Sequence, residues 1–368
     1  MRSPPLLAAW LLLIAAVGCR EGVKGSPSNR AESFVGQTLR VSSFPGYLVP
    51  EVTRSFEEHT GAKLLIESYP SNEDLIARIE GGAQVDVIFP SGYAVERLLL
   101  RERLRPMDRG RVPNLIQVPE RFRNPPADPS LRHCVPYTWS LTGLGVLSNR
   151  ALPGRDPESL SALFPAAPAA APPMILLDDM RATLGIALRS LGFSASSREP
   201  AELKRARELL LSQAPRIVGF ALDVGPALLQ HRAPLALGWS GDVLSARLRD
   251  EQIRFIVPRE GALLFIDYAC VPRASAHPEL AFAFLNHLLD PQIAAQVANV
   301  ELYVSPNLGT QRLLRPEARW LVGTLESVLA NGRFEVPRDV GPAQRLYQEA
   351  WDALKAAVVH PSPHPSPQ

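Results

Sequence analysis

The chain has 368 residues, of which 46% are hydrophobic and 21% charged, and a formal net charge of +2 at pH 7. That length suits about two domains with a sizeable core, and a near-neutral chain without a basic stripe interleaved with aromatics gives no footprint for nucleic acid. No HExxH pair, Walker loop or GxGxxG fingerprint is present, and "GWSG" lacks the second spaced glycine of a nucleophile elbow, so nothing in the sequence indicates an enzyme or a cofactor.

The N-terminus has a secretory signal layout, with Arg2, an apolar run from Leu6 to Val17, and Gly18 directly before Cys19. The run is too short to span a membrane. It resembles a bacterial lipoprotein signal, with Ala16 where leucine is usual, so residues 1–18 are expected to be removed and Cys19 lipidated; ordinary secretion with cleavage nearby is the alternative. The polar, Gly/Ser-rich stretch that follows reads as a flexible tether reaching residue 36.

Strands and helices then alternate. "TLRVSSF" reads as a strand, "PGYLVPEVTRSFEEHTG" as a helix closed by Gly61, "AKLLIESY" as a strand and "SNEDLIARIEGG" as a capped helix. "VDVIF" is a short strand before the helix "PSGYAVERLLLRE". This alternation predicts a parallel α/β sheet. "CVPYTWSLTGLGVLSN" and "GALLFIDYACVP" are long β-like stretches without a helix of their own. Between them come strand, acidic turn and helix in "PMILLDDMRATLGIALRSLG", the helix "PAELKRARELLLSQAP", the strand "APLALGWS", the helix "GDVLSARLRDE" and the strand "IRFIVP". "PELAFAFLNHLLDPQIAAQVA" is strongly helical, "VGPAQRLYQEAWDALKAAVV" is a final helix, and the Pro/Ser/His tail after it is expected to be disordered. Cys134 and Cys270 sit in the two long β-like stretches; in an oxidising compartment they either pair or remain as buried thiols.

The segments "SFPGYLVPEVTRSFEEHTG", "YPSNEDLIARI", "VDVIFPSGYAVERL", "LLDDMRATLGIALRSLGF", "FIDYACVP" and "YVSPN" occur in the order found in periplasmic spermidine/putrescine-binding proteins. The resemblance covers roughly residues 37–357. It implies the type II periplasmic binding protein fold, two α/β lobes joined by crossovers near 140–146 and 262–267 that close on ligand. Lobe 1 is then 37–142 with 267–311, lobe 2 is 146–262 with 315–357, and 358–368 is tail. If the crossovers are antiparallel, Cys134 and Cys270 lie at similar distances from the hinge, and a disulfide is expected.

A polyamine carries ammonium groups on an apolar chain, so its site needs carboxylates to replace water and aromatic faces to hold cation and methylenes. By resemblance, Asp267, Asp242 and Asp179 are the amine-holding acids, Trp239 stacks on the chain, and Phe44, Tyr47, Ser91, Tyr93, Phe265 and Tyr303 line the pocket. Helix capping is the competing reading for Asp242, Asp179 and Ser91. Phe44 and Phe265 replace usual tryptophans, Ala182 replaces a glutamate of spermidine-type receptors, Pro337 replaces a glutamine, and Pro45 a small hydroxyl residue. These departures favour a short diamine or a related cation such as agmatine. The implied protein is a monomeric, lipid-anchored periplasmic or extracellular receptor that touches the membrane only through its anchor, delivering to ABC permease and ATPase subunits and using no cofactor or metal. A receptor-derived sensor or scaffold, or a receptor for another small cation or metal, is the alternative; no two of the seven tyrosines are adjacent, unlike many iron receptors.

Overall fold

The computed structural model describes residues 33–148 and 156–358. The signal segment, the expected lipidation site Cys19, most of the tether and nearly all of the tail lie outside the described residues.

Among the described residues ten strands form the sheet: β1 (Thr38–Ser43), β2 (Lys63–Ser68), β3 (Val87–Ile88), β4 (Cys134–Leu147), β5 (Met174–Leu177), β6 (Ile217–Ala221), β7 (Leu235–Trp239), β8 (Ile253–Ile256), β9 (Ala262–Cys270) and β10 (Phe334–Glu335). Their order is β2-β1-β3-β9-β4-β7-β5-β6, with β10 on β9 and β8 on β4. β1 runs parallel to β2 and β3, and β5 parallel to β6 and β7, as strand–helix alternation requires. The sheet as a whole is mixed rather than parallel, because β4 and β9 run antiparallel to each other and to their outer neighbours. Neither strand has a crossover helix of its own; each is buried at every position, which accounts for its unbroken apolar reading.

β4 serves both halves of the sheet. Its first part, through Leu141, pairs with β9, and residues from Thr142 onward pair with β7 and β8. The crowding there explains Gly143, where a Cβ would lie 2.3 Å from the ring of Phe255. Cys134 and Cys270 face each other across β4 and β9 with Cα atoms 4.5 Å apart and are joined by a disulfide, the spacing of a non-hydrogen-bonded antiparallel pair.

The helices are α1 (Pro50–Thr60), α2 (Asn72–Glu80), α3 (Gly92–Leu100), α4 (Glu120–Arg123), α5 (Met180–Ser190), α6 (Pro200–Gln213), α7 (Gly225–Leu229), α8 (Ser240–Arg247), α9 (Pro278–Leu288), α10 (Pro291–Glu301), α11 (Pro316–Ala330) and α12 (Gln344–Ala357). Several differ from the sequence reading, and the short α4 and α7 have no counterpart in it. α1 starts only at Pro50, leaving Phe44 to Tyr47 in a turn at the end of β1. The long helical run after residue 277 breaks at Pro291, where Asp290 caps a new helix by accepting the Gln292 N–H at 2.8 Å. α11 was not read at all, although Ala318, Leu321 and Leu325 give it one buried stripe. β6, a short run interrupted by Gly219, was missed as well. α12 packs on α5 and α6 over the second half of the sheet, and α1 on α9 and α10 beside the first.

Candidate functional site

The ends of β1, β3, β5 and β7 converge with the middle of β9 on one cleft of about 190 Å³. Each brings a different side chain. The turn after β1 brings Phe44 and Tyr47, with Gly46 at φ 81° and the Tyr47 N–H returning to the Phe44 carbonyl at 3.3 Å. The turn after β3 brings Ser91, β9 brings Phe265 and Asp267, the exit of β5 brings Asp179, and the last residue of β7 is Trp239. Tyr303 enters because Leu302, in the left-handed region at φ 56°, ends α10 and redirects the chain. Strand ends of an open α/β sheet are where such folds place ligands.

Asp267 is fully enclosed in a hydrogen-bonded frame. Its Oδ1 accepts the Ser91 hydroxyl at 2.5 Å and its Oδ2 accepts the Tyr47 hydroxyl. Ser91 is held in turn by Asn72, whose Nδ2 donates to the hydroxyl at 3.0 Å and whose Oδ1 accepts the Ser91 N–H at 2.9 Å. Ser91 occupies the N-cap position of α3 yet makes no capping bond. With Asn72 donating to its oxygen, the hydroxyl hydrogen is directed to the carboxylate. Burial raises the Asp267 carboxyl above its usual range, and the Ser91 and Tyr47 bonds oppose that rise.

Asp242 lies in the first turn of α8, which begins at Ser240 behind the N-cap Trp239, so it does not cap the helix. Its Oδ1 accepts the Tyr303 hydroxyl at 2.8 Å, while its Oδ2 is buried with no hydrogen-bond partner. Burial first, then the charge of Asp223, hold it well above the usual carboxylate range, against the Tyr303 bond. Glu301 is raised by burial and by Asp223. Asp179 does cap a helix: its Oδ1 accepts the Ala182 N–H at 2.7 Å at the start of α5, and the residue lines the cleft as well. Burial and the charge of Glu73 push it up to about 7, against the Ala182 bond and Arg181. Tyr47 and Tyr303 are raised far above 10, by burial first and then by the neighbouring carboxylates, and so remain donors.

The aromatic walls are tight. Trp239 meets Phe265 edge-on with ring centres 5.0 Å apart, Phe44 packs on Tyr69 at 4.6 Å and on Tyr47 at 5.2 Å, and Tyr47 approaches Tyr303 at 5.9 Å. Three aspartates line the cleft, Asp179, Asp223 and Asp267, and no lysine, arginine or histidine among the described residues does. Asp179 and Asp267, both raised by desolvation, favour a positively charged guest, which restores their ionisation. Among the described residues no group of three or more His, Cys, Asp or Glu side chains is arranged to hold a metal ion.

Eight of the ten residues expected from the sequence line this cleft. Asp242 stands behind Tyr303 rather than in the wall. Tyr93 faces elsewhere: its hydroxyl donates to Glu73 Oε1 at 3.2 Å and its ring stacks on the guanidinium of Arg181 at 4.5 Å. The sequence reading missed Asp223, Leu222, Pro70 and Ser140 in the wall, and Asn72 and Glu73 behind it. Asn72 and Glu73 carry a signal in "SNED", a strand-end turn rich in polar side chains; Asp223, just before α7, has none beyond its place in a turn.

The bacterial extracellular solute-binding protein family matches residues 51–318. The chain is 30% identical over 328 residues to the spermidine/putrescine-binding periplasmic protein of Escherichia coli, covering 87% of this chain and 92% of that one. It is 27% identical to the putrescine/cadaverine-binding protein of Pseudomonas aeruginosa, covering 88% and 95%. Among solved structures, one from Listeria monocytogenes superposes with a TM-score of 0.81 at 26% identity, covering 87% of this chain and 99% of that one. The substrate-binding protein of a spermidine/putrescine ABC transporter from Streptococcus pneumoniae superposes with a TM-score of 0.71 at 25% identity, covering 88% and 100%.

Proposed function

The chain belongs to the bacterial extracellular solute-binding proteins, and from that premise we propose that its cleft receives a short diamine, or a related small cation, for an ABC importer. The fold is the type II periplasmic binding protein fold, and the protein is a receptor of the polyamine-binding kind rather than an enzyme. The observation that carries the ligand reading is the composition of the cleft: among the described residues, three aspartates, aromatic faces and no basic side chain line about 190 Å³.

One ammonium docks on Asp267, positioned by Ser91 and Tyr47. The methylenes lie against Trp239, Phe265 and Phe44. A second ammonium meets Asp179 or the Tyr303–Asp242 pair. The volume favours a small ligand, since pockets for drug-sized ligands measure roughly 300–1,000 Å³. Pro337 lies outside the cleft's wall and does not bear on it, but Ala182 spends its N–H on Asp179 and offers no carboxylate. A third ammonium there is left without a partner, which costs several kcal/mol even after relaxation.

The two half-sheets act as lobes that close on the ligand, with β4 and β9 as crossovers and the lobe limits expected from the sequence. Cys19 carries the lipid anchor on a monomer at the outer face of a membrane. Permease and ATPase subunits are its transport partners.

Calorimetric titration of putrescine, cadaverine, agmatine and spermidine tests the reading. Putrescine or cadaverine is expected to bind at least about tenfold more tightly than spermidine, or roughly 1.4 kcal/mol. Tighter spermidine binding ends the short-ligand reading. No binding of any of the four favours a sensor or scaffold instead.

A further inference from the structure

Strand β9 has a second cavity on its other side. Phe265 and Asp267 point to the acidic cleft, and Leu264, Ile266 and Tyr268 line a chamber of about 350 Å³. Phe265 lines both. The chamber is walled by Phe122 of α4, by the first turn of α3, by Leu329 of α11, by Phe334 of β10 and by Val336 of the segment leading into α12.

Its chemistry is the opposite of the cleft's. Among the described residues two charged side chains reach its rim, and each already has a partner. Glu96 accepts from the Arg338 guanidinium and from the Asp339 N–H at 3.0 Å, and Arg121 is paired with Glu326. No charge at the rim is left to select an ion, while the walls are aromatic and aliphatic. A cavity of about 150 Å³ lined by apolar side chains holds a benzene, so this one has room for a two-ring molecule.

We propose that this chamber binds a neutral apolar small molecule of about two aromatic rings, and that its occupation tightens diamine binding in the cleft. The coupling follows from the walls. α3 packs with α2 and β9 in the first half of the molecule, whereas Val336 and Pro337 lead into α12, which packs on α5 and α6 in the second. Because the chamber lies across the crossover strand β9 from the cleft, it narrows as the cleft opens, and a guest that fills it favours the closed arrangement that completes the acidic cleft. Two ligands that favour one state strengthen each other by the same factor. Binding in the chamber is independent of the diamine reading; only the coupling rests on it.

N-phenyl-1-naphthylamine, a neutral apolar fluorophore, is the probe, used with the purified full chain. Saturable one-to-one binding is expected without diamine, lost by at least tenfold in both Leu329→Trp and Val336→Trp, whose indoles fill the chamber, and retained within twofold in Asp267→Asn. Melting curves identify a variant that fails to fold, and the other then decides. Absence of saturable binding to the wild type, or binding unchanged in a folded filled variant, overturns the site. Putrescine and the probe are expected to tighten each other threefold or more, by equal factors. Mutual displacement puts the probe in the acidic cleft and overturns the proposal, and a factor of one overturns the coupling. If no diamine binds at all, the probe titration alone still decides the chamber.

Discussion

The acidic cleft and the apolar chamber stand on opposite sides of one strand, and their difference lies in how charge is settled. At the cleft, Asp267 has only neutral hydroxyl donors, Asp242 behind the wall has a buried oxygen with no partner, and no basic side chain among the described residues completes the wall. In the chamber, Glu96 and Arg121 are closed off by Arg338 and Glu326. A folded protein tolerates a desolvated carboxylate poorly, so a group of them left uncompensated marks a place where the compensating charge comes from outside. Apolar walls with settled charges mark a place that rejects ions.

The sharpest way to break this contrast is Asp267→Asn. Loss of one partner from a buried, hydrogen-bonded charge pair typically costs about 2–5 kcal/mol. Diamine binding by calorimetry is therefore expected to weaken at least about thirtyfold, with the chamber unaffected. Binding equal to wild type would show that the acids do not hold the amine.

Acidity gives the next largest difference. The cationic ligand needs ionised carboxylates, and Asp179 in the free protein is pushed up to about 7. Diamine affinity is accordingly expected to fall about tenfold between pH 8 and pH 6 through this group alone, with Asp242 and Asp267 steepening the fall. Below pH 7, binding releases protons, seen as a heat that depends on the buffer's ionisation enthalpy. Stability of the empty protein runs the other way: a carboxyl with a raised folded pKa contributes stability that is fully present below its unfolded value and is lost as pH rises through about 7. Probe binding in the chamber should be flat over the same range. A flat diamine profile would remove Asp179 from the site.

A smaller effect is expected at Asn72. Asn72→Leu removes both bonds to Ser91, which frees the Ser91 hydroxyl to cap α3 and leaves Asp267 short of one donor. One hydrogen bond of net value about 1 kcal/mol corresponds to roughly fivefold weaker diamine binding, and the pH midpoint of binding should move up. A changed melting temperature with an unchanged midpoint would reduce Asn72 to a packing role.

The disulfide supplies the control. Cys134 and Cys270 close a loop with a sequence separation of 136, beyond the lining of either cavity. Replacing both with alanine is expected to cost about 2–5 kcal/mol of stability and to leave both affinities within twofold. Titration of the denatured, unreduced protein should find neither thiol free, with Cys19 blocked.

Local chemistry wrote much of this into the chain. The alternation of "LLFIDYAC" on β9 already separates a face that bears an acid from one that bears no charge, since side chains of a strand alternate with period two. Ser71, Gly61 and Asp290 carry helix limits in their own side chains or their lack of one. The two long apolar runs declared themselves as strands because both of their faces are buried. Long-range packing decided the rest. Whether Ser91 caps its helix or serves Asp267 depends on Asn72, 19 positions away in sequence, and on Asp267, 176 positions away. That Asp223 joins the cleft while Tyr93 turns to Glu73 and Arg181 depends on which strand ends meet, and nothing in either residue's neighbours states it. Sequence fixes what a residue can offer through its own shape and charge; the partner that receives the offer is set by contacts among distant segments, which only the folded chain brings within a few ångströms.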